Sequence, residues 1–231
     1  IGLSKRVYSA LGWLVFSSIL TTKKQIEFCK VALFYWLPIG FLKIDFLYLR
    51  RFIVIPAHIS SQRYLKASGL DRSYTYGATP LTSLDKIMRN CQLEPGQKVA
   101  DLGCGPGRTC FFIHKRFNVS VVGIDIVPEF VQTALTFKNS LSISDVDFEC
   151  GDILELDCSA FDCLYLFGTT WHVAFMRKLI EKLEQELNPG TRVVSIKHPL
   201  GRFVEDTRFE VEKCFDVSFY WGRDKVYIHR L

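Results

Sequence analysis

From residue 97 onward the apolar positions fall into short blocks separated by longer amphipathic stretches. Blocks at 97–102, 119–125, 146–150, 162–167 and 191–197 predict strands, and stretches at about 81–92, 107–116, 128–139 and 171–188 predict helices. The last helix has the clearest face, with Met176, Leu179, Ile180, Leu183 and Leu187 on one side and "NPG" at 188–190 to stop it. Two apolar strands near 214–221 and 225–230, separated by "GRD", predict a closing hairpin. Strands alternating with helices imply an α/β fold with a mostly parallel sheet and right-handed crossovers, and the hairpin adds one antiparallel strand.

The first 60 residues read differently. "VYSALGWLVFSSIL" at 7–20 and "VALFYWLPIGFL" at 31–42 are apolar, yet each is shorter than the ~20 residues a helix needs to cross a bilayer. Basic pairs flank them, and Lys43 and Asp45 interrupt any extension of the second. The segment 1–60 is expected to be an apolar, basic, helical extension. It forms a short membrane hairpin, interfacial helices in contact with lipid through residues 7–50, or a cap packed on the following domain. No small-residue cleavage site follows "SSILTT", which argues against a signal peptide.

Composition sharpens that division. Of 231 residues 48% are apolar and 14% aromatic, enough for a sizeable core. Residues 1–90 carry 13 Lys/Arg against 4 Asp/Glu, whereas residues 91–231 carry 16 against 20. An apolar, basic start suits anionic lipid better than nucleic acid, for which no basic-aromatic array argues. The eight cysteines form no CxxC pair and no zinc-spaced cluster with histidine, so free thiols in a reducing compartment are expected and no metal.

The densest chemistry lies in "VADLGCGPGRTC", residues 99–110. Gly103, Gly105 and Gly107 alternate between a strand and a helix, where a sheet of this kind collects its ligand and a backbone must approach it closely. A dinucleotide fingerprint needs Gly or Ala at the sixth position from Gly103, and Arg108 stands there. Asp101 would oppose a pyrophosphate, and Pro106 removes one N–H from a loop that phosphate would want rich in donors. S-adenosylmethionine (SAM) presents an ammonium and a sulfonium instead, which suits an acid at the strand tip. Asp125, ending the second strand, can accept from ribose hydroxyls in either cofactor. Asp152, followed by Ile153, can take an adenine amino group while its neighbour packs on the ring, or can simply cap a turn.

These segments, with "LNPGTRVVSIK", resemble the class I SAM-dependent methyltransferases over residues 76–231. The resemblance implies a Rossmann-like seven-stranded sheet over a domain of 61–231. It places Asp101, Gly103, Gly105 and Gly107 along the methionine part, Asp125 and Ile126 at the ribose, and Asp152 and Ile153 at the adenine. "YTYGATPLTSLDKIM" and "GTRVVSIKHPL" are further similar to the seven-strand protein lysine methyltransferases and their membrane-anchored relatives. That likeness implies Tyr76 and Thr79 closing over the methionine carboxylate and reaction centre, and an acceptor wall from Phe167 through Thr169, Thr170 and Trp171. Ala78 replaces the acid that the histone-directed members carry after "YG", and "FGTTW" replaces their N-N-F-x-F.

The expected activity is methyl transfer to a protein lysine, in the cytoplasm or at a membrane facing a compartment that holds SAM. A small-molecule or lipid acceptor, or a non-catalytic SAM-binding module, are the alternatives. Methyl transfer needs a base only where the acceptor must lose a proton. His198 after the fifth strand, His172 at the start of the long helix and Tyr76 are the candidates, with Thr169 and Thr170 as pocket residues or a helix cap.

Overall fold

The computed structural model describes residues 22–70 and 76–231. Its centre is a seven-stranded sheet in the order β3-β2-β1-β4-β5-β7-β6. The strands are β1 (Lys98–Leu102), β2 (Ser120–Asp125), β3 (Val146–Cys150), β4 (Cys163–Leu166), β5 (Arg192–Ile196), β6 (Glu210–Phe219) and β7 (Gly222–Arg230). Strands β1 to β5 pair in parallel, and β7 runs antiparallel between β5 and β6. The chain leaves β1 toward β2 and β3, then crosses back to place β4 on the other side of β1, which opens a crevice at the carboxyl ends of β1 and β4.

Period-two alternation sorts each strand's side chains onto two cores. Val99, Val121, Tyr165 and Val194 face one layer. It is formed by helix 22–31, here α1, with α2 (Leu42–Phe52), α4 (Leu81–Asn90), α5 (Arg108–Phe117) and α6 (Pro128–Leu141). Ala100, Leu102, Leu164 and Val193 face Met176, Leu179, Ile180 and Leu183 of α7 (Val173–Glu186), the face expected from the sequence. A further helix, α3 (Ala57–Ala67), leads toward the segment ahead of α4.

Two expectations are corrected. The hairpin turn is Tyr220-Trp221, because Phe219 pairs with Gly222, so "GRD" lies inside β7. β6 begins at Glu210, earlier than its apolar residues suggest. On this sheet edge Glu212 sits between Arg192 (3.1 Å) and Arg230 (2.9 Å), and the ion pairs carry the strand where the hydrophobic pattern is blank.

The part of the N-terminal extension that is described packs as a cap. Val31, Tyr35, Phe41, Ile44 and Tyr48 belong to the same buried cluster as the sheet. Helix α1 widens to a π-helix over Ala32–Trp36, and the chain turns at Pro38, which cannot continue a helix, before α2. Among the described residues no helix is long and apolar enough to cross a membrane. The stretch 7–20 lies outside the described residues.

Candidate functional site

The β1–α5 turn is held in place from β2. Gly103 and Cys104 N–H donate to the Ile124 carbonyl (2.9 and 3.0 Å), and Gly105 N–H donates to Asp125 Oδ2 (2.7 Å). The other oxygen of Asp125 accepts from Val127 N–H (2.9 Å). One carboxylate therefore ties together the two loops that follow β1 and β2. Gly105 has a φ of +55°, and a Cβ there would meet the Tyr76 ring at 2.3 Å, so glycine is required on both counts. Gly107 caps α5 in a left-handed conformation against the Phe148 ring.

Burial dominates the electrostatics. Asp101 accepts from the Thr109 hydroxyl and from Cys110 Sγ (3.5 Å), yet desolvation pushes its carboxyl up to about 6. Asp125 is likewise raised to about 6 by burial, against the lowering effect of its two N–H donors. Burial also raises the phenol of Tyr76, which is thus a neutral hydrogen-bonding group at physiological pH.

Three recesses meet at Gly103. The largest, about 400 Å³, is lined by Tyr76, Gly77, Asp125, Phe130, Phe167, Thr169, Thr170, Trp171, Lys197, Trp221 and Asp224, among others. A narrow one of about 20 Å³ reaches Thr79, Asp101 and Tyr165, and shares Tyr76 and Phe167 with the first. The third, about 150 Å³, is lined by Leu70, Asp125, Ile126, Asp152, Ile153, Trp171 and Phe175. An elongated ligand could run from Asp101 past Asp125 to Asp152 with glycine backbone beneath it. The shape and the ordering of carboxylates fit SAM: an acid for its cationic end, an acid for the ribose, and a buried apolar residue beside a polar tip for the base.

Most of the predicted residues are brought together. Thr79 is bonded to Tyr165 (2.8 Å) across the narrow recess. Asp152 lines the third recess and also caps the short helix Ile153–Glu155 through Leu154 N–H (3.0 Å). Thr169 and Thr170 line the main recess, while His172 occupies the N-cap position of α7. Gly105 and Gly107 line none of the three recesses and shape the turn instead.

His198 is not brought in. Its ring lies beside Arg202 (2.8 Å between Nη1 and Nδ1), and partial burial together with the Arg202 and Lys197 charges lowers its pKa. The chain kinks at Lys197, where φ is +72°, and it is Lys197 that reaches the main recess. No histidine among the described residues lines any of the three.

Several residues were not anticipated. Trp221, on the hairpin turn, stacks on Phe219 (4.8 Å, 5°) and lies 5.8 Å from Phe167, and its indole N–H donates to Asp224 (2.7 Å). With Trp171 these rings make the recess mouth aromatic. Gly168 permits this, since a Cβ there would lie 2.2 Å from the Trp171 ring. Tyr165 follows Asp101 across the sheet in register, so β4 pairing could have flagged it.

The chain is similar to known proteins in sequence and in fold. Residues 101–207 match the family described as "ANTKMT methyltransferase domain". A protein-lysine N-methyltransferase of Saccharolobus islandicus is 36% identical over 123 residues, covering 52% of this chain and 74% of that protein. Phosphoethanolamine N-methyltransferase 1 of Arabidopsis thaliana is 31% identical over 178 residues, covering 69% of this chain but 36% of the plant enzyme. The matched segment is therefore about a third of that relative's length. Among solved structures, an RNA methyltransferase of Salinibacter ruber in complex with S-adenosyl-L-homocysteine has a TM-score of 0.56 at 26% identity, covering 67% of this chain and 93% of that one.

Proposed function

Since the chain belongs to the class I SAM-dependent methyltransferases, we propose that it transfers the methyl group of SAM to an amine, and specifically to the side chain of a protein lysine. The observation that carries this reading is the aromatic mouth of the main recess, Phe167, Trp171 and Trp221, with the Asp224 carboxylate beside it. Aromatic faces attract a lysine ammonium on approach, and Asp224 adds charge attraction. The ring-lined interior then desolvates the amine and favours its neutral, nucleophilic form.

When bound, SAM supplies a methyl group already activated by a sulfonium. The protein's part is to hold both partners in line and exclude water. Asp125 would hold the ribose, Asp152 and Ile153 the adenine, and Asp101 the cationic end, with Tyr76 and Thr79 closing that side. Tyr76 serves as a hydrogen-bond partner rather than a base, because burial keeps its phenol protonated. No imidazole is needed, since an amine that enters desolvated has already released its proton to water.

A second reading has its own support. Lys197 lines the same recess, and a cation there suits a phosphorylated small amine, in keeping with the likeness to phosphoethanolamine N-methyltransferases. Membrane contact enters only as a surface association, supported by the exposed apolar residues Leu37, Phe46, Ile53 and Val54 beside Arg50 and Arg51. Incubating the protein with tritium-labelled SAM and a lysate, then separating protein, lipid and small-molecule fractions, tests the proposal. Label on protein, released by hydrolysis as methyl-lysine, is the expected result; label confined to small amines establishes the second reading. SAM binding without label in any fraction would make the protein a non-catalytic module and overturn both.

A further inference from the structure

We propose that helix α2 of the N-terminal extension is a positioning element for the cofactor loops, acting through Tyr48, Asp45 and Arg51. It touches the start of each loop-to-helix junction that follows the first two strands. The Tyr48 hydroxyl donates to the carbonyl of Pro106, inside the glycine turn between Gly105 and Gly107. Asp45 accepts from the guanidinium of Arg108, the first residue of α5, at 2.7 Å, and its other oxygen accepts from Trp36 Nε1 at 2.8 Å. Arg51 pairs with Glu129 in the first turn of α6, just beyond the Asp125 loop.

These contacts suit positioning because the α2 side chains themselves stay outside the ligand space, while Arg108, the partner of Asp45, lines the narrow recess. Among the described residues, no α2 side chain lines any of the three recesses that meet at Gly103. The contacts are also built to be rigid. Tyr48 is buried with its ring against Phe137 (5.0 Å, 80°), and the Arg108 guanidinium lies over Phe41 (5.7 Å). Asp125 joins the two loops from inside the sheet, and α2 joins the same two from outside. Arg108, which replaces the small residue of a dinucleotide fingerprint, thereby gains a structural purpose.

The test is equilibrium dialysis of labelled SAM against the full chain and its Tyr48→Phe, Asp45→Asn and Asp45→Glu variants. Tyr48→Phe keeps the packed ring and removes one hydrogen bond. Each of the first two variants is expected to raise the SAM Kd about three- to tenfold, with Asp45→Glu recovering most of the loss and the KM for poly-L-lysine unchanged. Affinities within twofold of the parent in both variants would overturn the proposal. Should a variant fail to fold, hydrogen exchange on the parent chain decides: S-adenosyl-L-homocysteine slows exchange of amides 42–52 if α2 is coupled to the loops, and leaves them unchanged if it is not. The inference rests on SAM binding at the glycine turn. A parent chain that binds no SAM would overturn that reading itself, whereas parent binding untouched by the variants overturns the brace alone.

Discussion

The proposed cofactor end of the crevice and its proposed acceptor mouth are made by different physical means. At the cofactor end, backbone does most of the work: glycines, main-chain N–H groups and two buried carboxylates fix the loops after β1 and β2 from within the sheet. At the mouth, side chains do it. Phe167, Trp171 and Trp221 come from the β4–α7 connection and the hairpin turn, and Trp221 is 44% exposed. A backbone-built site tolerates few residue types and is shared across chemistries. A side-chain-built mouth on loops can change its acceptor without disturbing the fold.

That contrast can be broken at either end. The largest effect is expected from Asp125→Ala, which removes the carboxylate proposed to hold the ribose and frees the N–H groups of Gly105 and Val127. A loss of about 2–4 kcal/mol in SAM affinity, on the order of a hundredfold in Kd, should appear in equilibrium dialysis, with little effect on any independent amine binding.

Acidity should act on the same end. Asp101 and Asp125 have carboxyls raised to about 6 in the free protein, and a cationic ligand favours their ionised forms. SAM affinity should then be level above about pH 7 and fall as pH drops through 6, by up to about tenfold per unit for each group that must lose a proton. The stability of the ligand-free protein moves the other way for these two groups. Their folded pKa values lie above the unfolded value near 3.8, so the folded state binds more protons and their contribution grows as pH falls from about 6 toward 4. Calorimetric titration at pH 5 and pH 8 checks the first sign, and thermal melts check the second.

At the mouth, Trp221→Ala should raise the acceptor KM about tenfold while SAM Kd stays within twofold, as expected for loss of a partly exposed cation–π partner. A parallel loss of SAM affinity would merge the two regions and defeat the comparison. The smallest effect is expected from His198→Ala, whose ring lies outside the recess. Its kcat should remain within about twofold of the parent at pH 7 to 8 in the methyl-transfer assay.

The same contrast explains what the sequence revealed. Strand and helix alternation, the glycine turn, and the places of Asp125 and the Asp152–Ile153 pair on the recess walls were legible because local backbone geometry demands particular residues at particular spacings. The mouth was legible only as far as the chain neighbours of Phe167. Trp221 and Asp224 lie more than fifty residues away and arrive through β5–β7 pairing, on a hairpin whose turn the apolar pattern placed a few residues too late. His198 misled because one residue of register at a strand end decides whether a side chain enters the crevice, and the left-handed kink at Lys197 resets that register. The bracing by α2 was invisible for a similar reason: Tyr48 and Pro106 meet only in the folded chain, 58 residues apart.

The most direct test of the account is a calorimetric comparison of SAM and NADH on the intact chain at pH 7.5. The structure predicts one molecule of SAM per chain and no measurable heat from NADH, because Asp101 and Pro106 make the glycine turn hostile to a pyrophosphate. NADH binding with SAM silent would contradict the account at its root.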